Sequence, residues 1–220
     1  MTTLITAPLA PLLDRLFAEA ADWPTHSPAL DAVLDQARER RMRSKAGYLG
    51  FYRSLKDLPL AVTRETGLLL YMLARSRKAR TVVEFGTSLG VSALHLAAAL
   101  RDNGGGRLIA TEFEPSKVAG ARQNLRAAGL LDLVEIREGD AVLTLATDLP
   151  DTIDLVWLDG AKALYREVLN VVEGRLAPDA LVIADDSARS PDYLAYVRNP
   201  ANGYLSLPFG DDLELSLRLG

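Results

Sequence analysis

The chain has 220 residues, 49% of them hydrophobic, and a formal charge of −4; that supports one well-buried domain and argues against a broad basic face for nucleic acid. Cysteine is absent, which excludes disulfides, a thiol nucleophile and a cysteine-based zinc site. The longest apolar run, Leu68 to Ala74, falls far short of the roughly 18 residues of a membrane span, and the first residues lack a signal peptide's basic start, so a cytoplasmic protein with no membrane partner is expected.

In chain order, Leu9, Leu12, Leu13, Leu16, Phe17 and Ala20 recur at helical spacing and predict a first helix ending near Trp23-Pro24. Ser27-Pro28 reads as N-cap and first position of a second helix through Leu30, Val33, Leu34 and Ala37, which runs into a basic cluster from Arg38 to Lys45. That cluster reads as a solvated face. Gly47 to Pro59 reads as a looser segment, and a third helix is predicted over about Arg64 to Arg75. Residues 1–62 are expected to form a helical cap or dimerisation region, and residues 63–220 a core.

From Thr81 the pattern alternates. Strands are predicted at Thr81–Phe85, Arg107–Glu112, Leu133–Arg137, Ile153–Asp159 and Ala180–Asp185. Helices are predicted at Val91–Leu100, Pro115–Ala128, Ala141–Thr147, Ala163–Glu173 and Pro191–Val197. Tyr204-Leu205-Ser206-Leu207 and Leu213-Glu214-Leu215-Ser216-Leu217 flank turn residues and read as a β-hairpin. Strands alternating with helices imply right-handed βαβ units and a mostly parallel α/β sheet covered on both faces. With the antiparallel hairpin at its end, the sheet has seven strands.

The stretch from Val82 to Ser92 organises the rest. A β-branched run stops at Glu84, Gly86 and Gly90 follow, and a helix begins at Val91. Glycines admit a close ligand, and the helix N-terminus offers free N–H groups to an anion. The spacing is Gly-x-x-x-Gly, not the tighter dinucleotide fingerprint, and no catalytic His or Tyr-Lys pair stands in place, which disfavours a nicotinamide dehydrogenase.

Polar residues gather where strands end. Glu112 closes the second strand, where a carboxylate can accept both hydroxyls of a ribose. Gly139-Asp140 follows the third strand, and Asp140 can accept from an adenine amino group. Asp159 ends the fourth strand and Asp185-Asp186 the fifth. On neighbouring strands these carboxylates would converge and raise one another's pKa unless a cation intervened. Oxygen-only ligands select a hard ion such as Mg²⁺. Lys162, three residues beyond Asp159, can face the same point; beside a divalent cation its pKa should fall, making it a candidate general base. His26 and His95 are not needed, Trp157 reads as core, and Tyr165 as a residue that packs or lines an acceptor pocket.

From about Arg64 onward the chain resembles the class I S-adenosylmethionine (SAM) methyltransferases, specifically the divalent-metal-dependent catechol and caffeoyl-CoA O-methyltransferases. The stretch from Val82 to Ser92 is similar to that family's first motif, Thr111 to Pro115 to its ribose-binding loop, Ile153 to Tyr165 to its metal-and-base motif, and Leu181 to Asp186 to the segment supplying two further metal ligands. The resemblance implies a Rossmann-like doubly wound fold and a homodimer. Glu84, Gly86 and Ser92, on a turn with Thr87, Ser88 and Gly90, would hold the methionine part of the cofactor. Glu112 would hold its ribose, Gly139 and Asp140 its adenine side, with Asp159 at the edge of the same pocket. Asp159, Asp185 and Asp186 would bind Mg²⁺, and Lys162 would take the proton from an acceptor hydroxyl. Asp186 stands where many members have Asn, and Ala161 replaces an acid common in one branch.

The acceptor expected is a small phenolic or catechol-type molecule, because vicinal hydroxyls chelate such an ion; loops around Tyr48–Pro59 and Ser187–Tyr193 would shape its pocket. Two alternatives remain: methylation of a hydroxylated tRNA base, encouraged only by the Arg38 to Lys45 cluster, and a cofactor-binding module without turnover.

Overall fold

The structure, a computed structural model, describes residues 2–21, 47–210 and 212–220. The predicted second helix, the basic cluster and His26 lie outside the described residues.

Seven strands form one sheet: β1 (Thr81–Phe85), β2 (Arg107–Glu112), β3 (Val134–Glu138), β4 (Ile153–Leu158), β5 (Leu176–Ala184), β6 (Tyr204–Phe209) and β7 (Leu213–Arg218), in the order β3-β2-β1-β4-β5-β7-β6. The first five pair in parallel; β7 joins β5, and β6 joins β7, antiparallel. Both faces of the parallel strands are apolar. Val82, Leu108, Leu155 and Trp157 point into one core cluster, and Val83, Ile109, Val156 and Leu158 into the other, as expected of strands covered on both sides. Pro208 sits in β6 at the sheet edge, where no ladder N–H is missed.

The described helices are α1 (Leu9–Ala21), α2 (Tyr48–Ser54), α3 (Arg64–Ser76), α4 (Val91–Asp102), α5 (Pro115–Ala127), α6 (Ala141–Thr144), α7 (Tyr165–Val172) and α8 (Pro191–Val197). Among the described residues, no helix is long and apolar enough to cross a membrane. Every residue of α4 from Val91 to Leu100 is buried, because α1 and α3 pack over its outer side. Leu9, Leu12, Leu13 and Leu16 of α1 enter the same cluster as Val82 of β1. Thr3 ties the amino end down by donating backbone N–H and hydroxyl to Asp102. His95 is buried, its Nδ1 2.8 Å from the Val91 carbonyl, and its ring lies against Gly67, where a Cβ would sit 2.6 Å away. Burial lowers its pKa, so it is a neutral packing residue.

The helix expected over Ala141–Thr147 stops at Thr144, and three other elements depart from expectation. Gly47 to Pro59 is not simply irregular: it holds α2, whose Tyr48, Phe51, Tyr52 and Leu55 share a face, while Gly50 stands in open space on the other. The helix expected from Ala163 is preceded by a 3-10 turn, Lys162–Leu164, and α7 proper starts at Tyr165. β5 starts at Leu176 rather than Ala180, with a register irregularity against β4 between Ile153 and Leu155 that accommodates Pro178.

The chain winds from β1 outward to β2 and β3, then returns to place β4 on the other side of β1. Crossovers therefore diverge between β1 and β4, opening a crevice at their carboxyl ends. The parallel register brings Phe85, Thr111, Leu158 and Ala184 level. Gly86, Glu112, Asp159 and Asp185 follow directly, on the rim of one cavity.

Candidate active site

That cavity has a volume of about 640 Å³. Its floor is the strand ends; Tyr48, Phe51 and Tyr52 of α2 line it, as do Phe209 and Leu213 beside the hairpin turn. The Tyr52 hydroxyl reaches the Gly160 carbonyl at 3.4 Å. The sequence marks Tyr48–Pro59 as a segment shaping the acceptor pocket; the structure puts these aromatics on a helix there, and their spacing of three and four was legible.

On the first strand, Glu84 is fully buried and its Oε2 accepts from the Thr87 hydroxyl at 2.7 Å. Burial pushes its carboxyl up to about 7, against hydrogen bonds from Ser92 and Thr87. Its Oε1 has no partner among the described residues. A buried unpaired acceptor is costly, and a ligand's ammonium is the natural donor to complete it. The turn beyond is tight. Gly86 adopts φ +93° and Gly90 φ +86°, and the Gly86 and Thr87 N–H groups both donate to the Thr111 carbonyl. Ser92 sits in the first turn of α4, on the far side of Gly90.

Glu112 is 7% exposed and its carboxylate is fixed by three backbone donors: Ser88 N–H on Oε2 at 2.8 Å, and Phe113 and Glu114 N–H on Oε1 at 2.9 and 3.0 Å. The Ser88 amide is thus occupied in holding Glu112. Gly139 adopts φ +128° and donates its N–H to the Glu112 carbonyl. Asp140 lines the cavity, but its Oδ1 caps α6 by accepting from Val142 N–H at 2.8 Å.

At the ends of β4 and β5 the arrangement differs from three converging carboxylates. Lys162 Nζ donates to Asp159 Oδ1 at 3.0 Å and to Asp185 Oδ2 at 3.2 Å, with the ammonium side chain 5% exposed. Asp186 stands apart: its backbone is left-handed, φ +51°, and its carboxylate pairs with Arg189. Among the described residues, no group of three or more His, Cys, Asp or Glu is placed to hold a metal ion. Tyr165 does not line the cavity either; it is fully buried and donates its hydroxyl to the Asp185 carbonyl at 2.9 Å, which fixes the strand end.

Burial pushes the Asp159 carboxyl up to about 7, with Lys162 opposing and Asp185 adding to the rise. With only the two carboxylates around it, the Lys162 ammonium is held well above its ordinary value: burial works against the charge, but Tyr165, Asp159 and Asp185 outweigh it; the fall expected of it was for a divalent cation alongside.

The donor set can still be judged against a hard cation. Two carboxylates already gather around one positive charge, that of Lys162, and the remaining oxygen donor is one residue further on. Asp159 and Asp185 fit an oxygen-selecting ion; Asp186 would have to leave Arg189 to join them.

A family model described as a methyltransferase domain matches residues 83–187, from β1 to just past β5. A catechol O-methyltransferase of Mycobacterium tuberculosis (strain ATCC 25618 / H37Rv) is 33% identical over 174 residues, covering 79% of this chain and 78% of the relative. The chain belongs to the class I SAM-dependent O-methyltransferases of the catechol and caffeoyl-CoA family. A catechol O-methyltransferase of Niastella koreensis is 32% identical over 133 residues, and that match spans 59% of each chain. The O-methyltransferase TomG of Streptomyces achromogenes, solved in complex with SAM, shares the fold with a TM-score of 0.65 at 24% identity, over 98% of this chain and 100% of that one. As an O-methyltransferase of this family the enzyme uses SAM as its methyl donor, and the cavity at the switch point, with its buried unpaired Glu84 oxygen, suits such a cofactor.

Proposed function

We propose that this enzyme transfers the SAM methyl group to a hydroxyl of a small catechol-type or phenolic acceptor. The observation that carries this reading is the Asp159–Lys162–Asp185 cluster on the rim of the cavity, under the aromatic wall of α2. Methyl transfer from a sulfonium needs an in-line oxygen nucleophile, correctly placed and stripped of its proton. Lys162 Nζ takes that proton. To do so the ammonium must first release its own proton to solvent, and Asp159 and Asp185, which hold it charged, set how readily that happens. Asp159 and Asp185 are also the donors that would hold Mg²⁺, with Asp186 as the third; a bound Mg²⁺ would polarise an acceptor hydroxyl. Tyr48, Phe51 and Tyr52 offer faces for an aromatic ring. Glu84 and the Gly86 to Ser92 turn hold the methionine part of SAM, and Glu112 its ribose.

The test is a panel of catechols, flavonoids and hydroxycinnamoyl thioesters assayed for methyl transfer with Mg²⁺ and with chelator. Vicinal diols should be methylated, and chelation should slow the reaction by about a hundredfold or more. Cofactor binding without methylation of any diol under either condition would sink the proposal.

A pH dependence of cofactor binding follows from Glu84. Its carboxyl titrates at about 7 in the ligand-free protein, and a ligand ammonium favours the ionised form. S-adenosylhomocysteine (SAH) affinity should therefore rise as pH climbs toward about 7 and level off above it, by up to about tenfold per pH unit. Glu112 and Asp159 also face Glu84, so the comparison is with Glu84→Gln, whose titration by calorimetry should lose most of the slope. An equal slope in both proteins would assign the effect to Asp159 instead.

A further inference from the structure

Lys117 lies in the first turn of α5 and is only 5% exposed. It lines the cavity beside Glu112 and Glu114, yet its ammonium makes no hydrogen bond or ion pair with any described residue; Glu112, Glu114 and Asp57 act on it only as nearby charges. Burial holds its pKa below the ordinary lysine value in spite of those carboxylates. A cation in a first helical turn also meets the unfavourable end of the helix dipole. Position, burial and the lack of partners among the described residues all count against a charge here, unless the functional state brings an acceptor to it.

The neighbouring polar groups show what that acceptor is. Glu112 is the expected ribose anchor, and a carboxylate only accepts. The backbone N–H groups at this corner, those of Ser88, Phe113 and Glu114, are all consumed on Glu112. A ribose diol placed here can give a proton to the one lone-pair site of Glu112 that those donors leave open, but the lone pairs of its hydroxyls meet no free backbone donor. Lys117 supplies one.

We propose that Lys117 is a cofactor-binding residue whose ammonium donates to a ribose hydroxyl of SAM, so that the diol is held between a cation and Glu112. The assignment rests on Glu112 holding the ribose. The alternative is that Lys117 merely balances the surrounding carboxylates.

The experiment is calorimetric titration of wild type, Lys117→Met and Lys117→Gln with SAH and with its 2′-deoxy and 3′-deoxy ribose analogues. Lys117→Met should weaken SAH binding by about 10- to 100-fold, the size of a charge-assisted hydrogen bond. The loss should shrink to less than about threefold for the analogue lacking the bridged hydroxyl, since the interaction is then already gone. Lys117→Gln, which keeps a donor, should recover part of the affinity. Without ligand, Lys117→Met should melt at or above the wild-type temperature, because an unpaired buried charge has been removed. Wild-type SAH affinity in Lys117→Met, or equal losses on all three ligands with a lowered ligand-free melting temperature, would overturn the proposal in favour of charge balance. Were wild type itself to bind both deoxy analogues as tightly as SAH, the ribose role of Glu112 would fall first, and this assignment with it.

Discussion

Lys162→Arg should fold as well as the wild type and lose about 10²- to 10⁴-fold in kcat on whichever catechol the enzyme methylates, the range for removing a general base. Arginine keeps a cation between Asp159 and Asp185 but does not release its proton in any working range. Lys162→Met should lose as much activity and stability besides, because the two carboxylates that share the ammonium at 3.0 and 3.2 Å would face each other without a counter-charge. The sign of the pH effect is fixed. Asp159, already at about 7 in the fold against an ordinary 3.8, would move higher once the opposing charge of Lys162 is gone. A carboxyl raised on folding binds its proton more tightly in the native state, so stability falls as pH rises through that interval. The melting-temperature gap between wild type and Lys162→Met should stay constant below about pH 6 and widen as pH rises through about 7, where Asp159 ionises in the wild type and not yet in the variant, while SAH affinity stays near wild type in the arginine variant. A Lys162→Arg enzyme with wild-type kcat would rule out proton transfer to Nζ and leave Lys162 as a structural cation.

Much of the fold was legible because its signals are local. Val82 to Phe85, Leu108 to Thr111 and Leu155 to Leu158 are mostly apolar and buried on both faces, Glu84 being the charged exception, and Pro115 and Gly129 punctuate α5; strand, turn and helix chemistry agreed at each step. That a site would lie where the strands end followed from alternation; the divergence between β1 and β4 came from the strand order. What the sequence hid was set by distant partners. α2 was obscured by Gly50 and its neighbouring turn residues, and its reason for existing is the cavity it lines. Asp186 looked like a third member of a carboxylate trio, but a left-handed backbone turns it to Arg189. Nothing in the sequence sets Lys117 apart from other lysines; its burial and its place in the cavity lining come from the fold. Lys162 was placed correctly beside Asp159, whereas its pKa depends on Asp185 and Tyr165, more distant in the sequence or part of another turn.

Gly86→Ala should cost about 2–4 kcal/mol of stability and weaken SAH by at least about a hundredfold. Two separate effects act there. The backbone holds φ +93°, where an L side chain is strained. A Cβ would also come within 2.6 Å of Gly160 Cα and N and 2.8 Å of the Asp159 carbonyl carbon. Those are backbone atoms, and they cannot step aside: Phe85 is paired with Leu158, and Asp159 N–H donates to the Phe85 carbonyl at 2.8 Å. Relief has to come from prying the tips of β1 and β4 apart, which moves Asp159 and the cofactor turn together. Gly129→Ala separates the two effects. Gly129 has φ +68°, past the end of α5, and a Cβ there would meet nothing within 4 Å, so it carries strain without close approach and should lose only about 1 kcal/mol, with SAH affinity intact. Urea denaturation and calorimetry on both variants measure the difference. Equal stability losses, or SAH binding unchanged in Gly86→Ala, would mean that the contact between the two strand tips does not govern the cofactor site; a large excess at Gly86 locates the rigidity of the active site in the backbone contact between β1 and β4.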